Sequence, residues 1–106
     1  MKNDPVLSRL GLCRRAGKLV LGYDMSLKSV LDGSARLAAA ACDSSEKAVF
    51  KLSRACGECG VPFYTLRCTA EELSRAAGSR AAFFSVTDAG MAKGLSGCIR
   101  KIEGEE

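Results

Sequence analysis

At 106 residues the chain is read as one domain, residues 1–106, long enough to bury a core without disulfide or metal staples. Its 47% hydrophobic and 26% charged content are ordinary for a globular chain, and no apolar run approaches the ~20 residues that span a bilayer. The net charge of +4 understates the basic character: three of the twelve acids sit in the tail at 103–106, which leaves sixteen bases against nine acids over residues 1–102.

In chain order, Asp4-Pro5 reads as an N-cap followed by Pro at the first helical position. Val6, Leu10 and Cys13 recur at helical spacing, which predicts a first helix over 5–16 that Gly17 stops. A short apolar strand over 18–21 follows. Gly22 opens a second helix at once, with Tyr23, Leu27, Val30 and Leu31 expected on its buried face and Gly33 at its end.

The run Leu37-Ala-Ala-Ala-Ala-Cys42 fits a helix or a strand on composition; its length and setting favour a strand buried on both faces. Asp43-Ser-Ser-Glu46 reads as a capping box opening a third helix, in which Val49, Leu52, Cys56 and Cys59 form one stripe and Gly60 the stop. Residues 61–66 make the third strand, with Pro62 near its start. Thr69-Ala-Glu-Glu72 is a second capping box, for a helix ending at Gly78. Residues 82–86 form the fourth strand. Asp88 then caps a last helix whose face is Met91, Leu95, Cys98, Ile99 and Ile102. Strands alternating with helices predict an α/β chain folded as a three-layer α/β/α sandwich around a four-stranded sheet.

The stretch Gly17 to Lys28 carries the most chemistry. Gly22 lacks a Cβ, so the chain can turn tightly there and a ligand can approach its backbone. The amides of the next helical turn have no intrahelical acceptor, and with Lys18 and Lys28 beside them they suit an anion such as a nucleic-acid phosphate. A plain strand-to-helix turn with solvated lysines has the same pattern. Residues 9–28 add Arg9, Arg14 and Arg15 against Asp24 alone, which favours a polyanionic partner.

The chain has no His, which removes Ser-His and Cys-His catalysis and the commonest metal ligand. Met1-Lys-Asn-Asp-Pro5 lacks the apolar core of a signal peptide, so a cytoplasmic location with mostly reduced cysteines is expected. Cys56-Gly-Glu-Cys59 is a lone C-x-x-C. It lacks the second pair of a zinc site and falls at a helix C-terminus, which disfavours a thiolate. Core packing is the expected role of the six cysteines. A thiol-redox or metal-linked function at Cys56 and Cys59 is the rival. Of the pairs Phe63-Tyr64 and Phe83-Phe84, one ring each is expected on either side of the sheet.

Five segments, in order, resemble one family: G-L-C-R-R-A-G-K-L-V-L-G, A-C-D-S-S-E-K-A-V-F-K-L, C-G-V-P-F, E-E-L-S-R-A-A-G and V-T-D-A-G-M-A-K. It is the ribosomal-protein family of the L-seven-Ae and L-thirty-e type, and most of all its short bacterial YlxQ-like ribosome-associated branch. The resemblance runs from about Leu7 to Leu95. It implies a mixed sheet with an antiparallel strand, no catalysis, no cofactor or metal, and structured RNA and the ribosome as partners rather than a membrane or a small-molecule substrate.

The best-understood members of that family grip kink-turn RNA, whose sheared G·A pairs open a groove that regular A-form RNA hides from side chains. Their helix start reads G-x-N-E-x-x-K. Carried over, this implies RNA contacts at Gly22 and Lys28, with Lys18 before them, and a covering loop at Gly78, Ser79, Arg80, Ala81 and Ala82. Arg14, Arg15 and Arg36 would extend the phosphate footprint, and Tyr23 lies next to the turn. Asp24 and Met25 stand where those members have Asn and Glu. An ionised Asp only accepts hydrogen bonds, and Met accepts no strong ones, so base discrimination should weaken while phosphate affinity stays. A protein–protein adaptor that kept the fold is the third possibility.

Overall fold

The structure, a computed structural model, describes residues 5–103, with side chains described to residue 100. Helices and strands alternate as α1 (Pro5–Arg15), β1 (Leu19–Leu21), α2 (Tyr23–Leu31), β2 (Leu37–Ala40), α3 (Glu46–Cys59), β3 (Phe63–Thr65), α4 (Ala70–Ala77), β4 (Phe83–Val86) and α5 (Ala89–Glu103). The strands pair in the order β1-β4-β2-β3, with β2 and β3 parallel and β4 antiparallel to both of its neighbours. Strands β1, β2 and β3 therefore point the same way. Their C-terminal ends share one end of the sheet with the start of β4. Helices α2 and α3 cover one face and α1, α4 and α5 the other, giving the expected α/β/α sandwich on a mixed sheet.

Strand β2 explains why two layers of helix fit. Leu37 and Ala39 join the core under α1, α4 and α5, and Ala38 and Ala40 join the core under α2 and α3, all four fully buried. Small side chains there let the helices sit close on both sides. Period-2 alternation likewise splits the neighbouring phenylalanines: Phe84 faces the first core and Phe83 the second.

Several ends follow the sequence signals. Lys18 N–H donates to Cys13 O at 2.9 Å and Gly17 N–H to Arg14 O at 3.0 Å, a Schellman ending for α1. Thr69 and Glu72 form the full reciprocal capping box of α4, and Asp88 Oδ2 accepts from Met91 N–H at 2.9 Å. Asp4, the proposed cap of α1, and the side chain of Ile102 lie outside the described residues.

Four expectations need correction. The second strand ends at Ala40 rather than Cys42, because Cys42 N–H turns away to donate to Cys68 O at 2.8 Å. Asp43 does not open α3; Ser45 is its N-cap, while Asp43 Oδ1 accepts from Ala70 N–H at 2.8 Å and so anchors the start of α4. Leu31 is 62% exposed. The buried face of α2 is centred on Ser26, Ser29 and Val30, and Ser29 Oγ donates to Ser26 O and accepts from Ser85 Oγ on β4, both at 2.7 Å. That polar contact holds α2 rotated from the orientation its leucines suggest. Cys59 is also exposed, because the last turn of α3 runs past the core.

Candidate nucleic-acid interface

The end of the sheet where β1 stops and β4 begins brings the two halves of the expected site together. Leu21 pairs with Phe84, and Gly22 N–H donates to Phe83 O at 2.8 Å. Gly22 takes φ 98° and ψ 155°, a region that side-chain-bearing residues rarely enter. Its carbonyl accepts from Ser26 N–H at 3.0 Å, but no side chain caps the helix. The amides of the first turn of α2 are thus presented at the chain's surface beside the positive end of the helix dipole.

Tyr23 packs edge-on to Phe83, with ring centroids 5.4 Å apart at 76°, so its ring belongs to the wall between α2 and the sheet. Asp24 is exposed in the first turn, and Met25 is 54% exposed. Lys28 follows one turn along, exposed, at i+4 from Asp24 and i+3 from Met25.

The covering loop is fixed at both ends and free in the middle. Gly78 takes φ 76° as the C-cap of α4, and its N–H donates to Ser74 O at 2.9 Å. The Arg14 guanidinium lies against it, 2.6 Å from where a Cβ would sit. Ala81 is buried, its N–H donating to Ser74 Oγ at 2.9 Å, and Ala82 O accepts from Ala41 N–H at 2.8 Å. Ser79 and Arg80 between these anchors are exposed. Beneath Arg80 an open cavity of about 420 Å³ runs along Ala70, Glu71 and Ser74 of α4. Ser74, which staples the loop, was not legible: one serine on an amphipathic helix carries no signal of a bond made seven residues on.

Two expected residues are elsewhere. Lys18 O accepts from Thr87 N–H at 3.0 Å and Arg36 N–H donates to Val86 O at 2.7 Å, which puts both at the opposite end of the sheet. Four residues of extended chain, about 13 Å, separate Lys18 from Gly22. Arg14, Lys28 and Arg80 form no ion pair among the described residues, so their charge is available to a ligand.

Comparison with family models and with curated proteins finds no match. Among solved structures, the chain is similar to a protein of unknown function from Bacillus halodurans, with 30% identity and a TM-score of 0.87 over 92% of this chain and 98% of that one. The chain belongs to that protein's family. It is also similar in fold to the 15.5 kD RNA-binding protein of Giardia lamblia, with 21% identity and a TM-score of 0.77 over 98% of this chain and 92% of that one. No described helix is long and apolar enough to cross a membrane.

The cysteines divide. Cys13, Cys56 and Cys68 are buried and Cys98 is half-buried, as core packing requires, but Cys42 and Cys59 are exposed. Burial, with the neighbouring Cys59 adding to it, pushes the Cys56 thiol up to about 11. A nucleophilic or metal-binding Cys needs the thiolate, which a group titrating about two units above its ordinary range almost wholly lacks at neutral pH. No group of three Cys, Asp or Glu among the described residues could hold a metal ion. A disulfide-exchange reagent at pH 8 is expected to modify Cys42 and Cys59 first and Cys56 only on unfolding, read by mass spectrometry of the peptides. Rapid labelling of Cys56 in the folded protein would contradict its burial. The sign for stability follows: the raised thiol contributes below pH 9.0, and that contribution is lost as pH climbs towards about 11.

Proposed function

We propose that the protein is a non-catalytic RNA-binding protein of the translation apparatus, ribosome-associated and cytoplasmic, which grips structured RNA at the Gly22 end of its sheet. The reading rests on one observation above others. The Gly22 N–H to Phe83 O bond sets the start of α2, which no side chain caps, beside the strand that the 78–82 loop feeds. Phosphate seats on the first-turn amides, with Lys28 and Arg14 supplying charge and Arg80 closing over the strand. The fold shared with the Giardia RNA-binding protein supports the ligand class, and the motif order supports membership of the L-seven-Ae and L-thirty-e type.

Asp24 and Met25 give the site its character. A carboxylate in the first helical turn suits the dipole but competes with phosphate for the same amides. It accepts from a guanine amino group where one is offered, and Met25 adds apolar contact only. The grip is therefore led by phosphate, with weak base discrimination.

Titration against a kink-turn RNA and a plain duplex of equal length, at two salt concentrations, tests this. Both RNAs are expected to bind, with affinities that fall together as salt rises. In Lys28→Ala the salt slope should drop by about one unit. A strong kink-turn preference that persists at high salt would overturn the phosphate-led reading, and an unchanged slope would remove Lys28 from the site.

A further inference from the structure

The opposite end of the sheet carries a second basic surface. A groove of about 470 Å³ opens there, lined by Arg36 just before β2, Pro62 just before β3, and Lys93, Ser96, Gly97 and Arg100 on α5. Lys93 and Arg100 are seven residues apart, so they share one face of α5, and Arg36 reaches the groove from the sheet. No Asp or Glu lines it among the described residues, and none of its three cations forms an ion pair among them. Asp88, which adjoins the groove's Ala89, caps Met91 N–H.

Two features favour a phosphate backbone over an acidic protein as the occupant. Protein interfaces are anchored by large apolar side chains, yet none of the exposed ones (Leu12, Met25, Leu31, Phe50) lines this groove. Gly97 lies on the groove, and nothing stands within 4 Å of where its Cβ would be. Packing does not require glycine there, and in a helix interior it costs about 1 kcal/mol against alanine. The bare backbone lets a sugar-phosphate chain come close between two guanidinium groups, which bind phosphate oxygens in pairs.

We propose that this groove is a second phosphate-backbone site, so that the protein holds two separate segments of RNA, one at each end of its sheet. It takes its ligand class from the function proposed above but uses different residues. The test measures the salt dependence of binding to a short RNA duplex, and the number of duplexes per chain by native mass spectrometry. Wild type is compared with a near-end variant (Lys28→Gln, Arg80→Gln), a far-end variant (Arg36→Gln, Lys93→Gln, Arg100→Gln) and their combination. All five side chains are exposed, so folding should survive, and circular dichroism checks it.

Wild type is expected to take two duplexes. The near-end variant should keep one, with a residual salt slope of about 2–3 from the three cations of the groove, and the combination should abolish binding of both duplexes. A far-end variant with wild-type slope and stoichiometry overturns the second site and leaves the first standing. Binding lost in the far-end variant but unchanged in the near-end variant overturns the first and keeps the second. If polyglutamate displaces the duplex from the near-end variant as well as RNA of equal charge does, the groove serves acidic protein and the proposal falls.

Discussion

Alanine at position 22 is expected to destabilise the protein by about 1–3 kcal/mol, the strain of placing a side-chain-bearing residue in a region open almost only to glycine. A Cβ there would meet nothing within 4 Å, so the penalty comes from the backbone dihedrals alone. A small opposing gain of about 0.4–1 kcal/mol comes from the stiffer unfolded chain. Relief of the strain requires φ to swing negative, which breaks the Gly22 N–H to Phe83 O bond and re-aims the first turn of α2. RNA affinity should then fall about tenfold, the equivalent of one contact worth about 1.4 kcal/mol. Urea unfolding and an RNA titration read the two effects. Chemical synthesis supplies the decisive control, because D-alanine prefers positive φ and should restore both. An L-alanine variant with wild-type stability and affinity would show that the turn is not what sets the site.

Truncating Phe84 to alanine should lower stability by about 3–5 kcal/mol, a large part of the 5–15 kcal/mol typical of a whole domain. Phe84 is fully buried in β4, the strand paired on both sides, and its ring fills the core beneath α1, α4 and α5. The same strand supplies the Phe83 carbonyl that holds Gly22, so a loosened β4 should also blunt binding before the protein unfolds. Phe50 is the contrast: it is 64% exposed on α3, and its replacement by alanine should change stability by no more than about 0.5 kcal/mol. Urea midpoints for the two variants check the difference. A loss under about 1 kcal/mol at Phe84 would contradict the close packing argued for that face.

The elements were legible because punctuation and periodicity agreed. Gly17, Gly60 and Gly78 each close a helix as placed, Thr69 and Asp88 each cap one, and the apolar run at 37–40 is the doubly buried strand. Two of the misreadings come from polar residues whose partners lie far along the chain. Ser29 faces the sheet, where Ser85 offers it a hydroxyl, and no pattern within α2 reveals a partner fifty-six residues away. Asp43 had a local role available as a cap and took a distant one at Ala70 instead.

The site divides along the same line. Gly22, Asp24, Met25 and Lys28 are contiguous, so their clustering follows from the turn itself, and the 78–82 loop joins them because β4 pairs with β1. Lys18 and Arg36 are close to that cluster in sequence or in charge, but strand direction carries them to the far end. Their position depends on sheet topology, which single-sequence patterning leaves open. Lys93 and Arg100 did carry a signal in their seven-residue spacing, but it lay on the face of α5 opposite the one read as core.

The most direct test of the RNA grip is an amide chemical-shift titration of isotope-labelled protein with a short structured RNA. The amides of Tyr23, Asp24 and Met25, together with those of Ser79 to Ala82, are expected to shift most at the Gly22 end, and their shifts should diminish in Lys28→Ala. Saturable binding that leaves both of these segments unmoved would contradict the account.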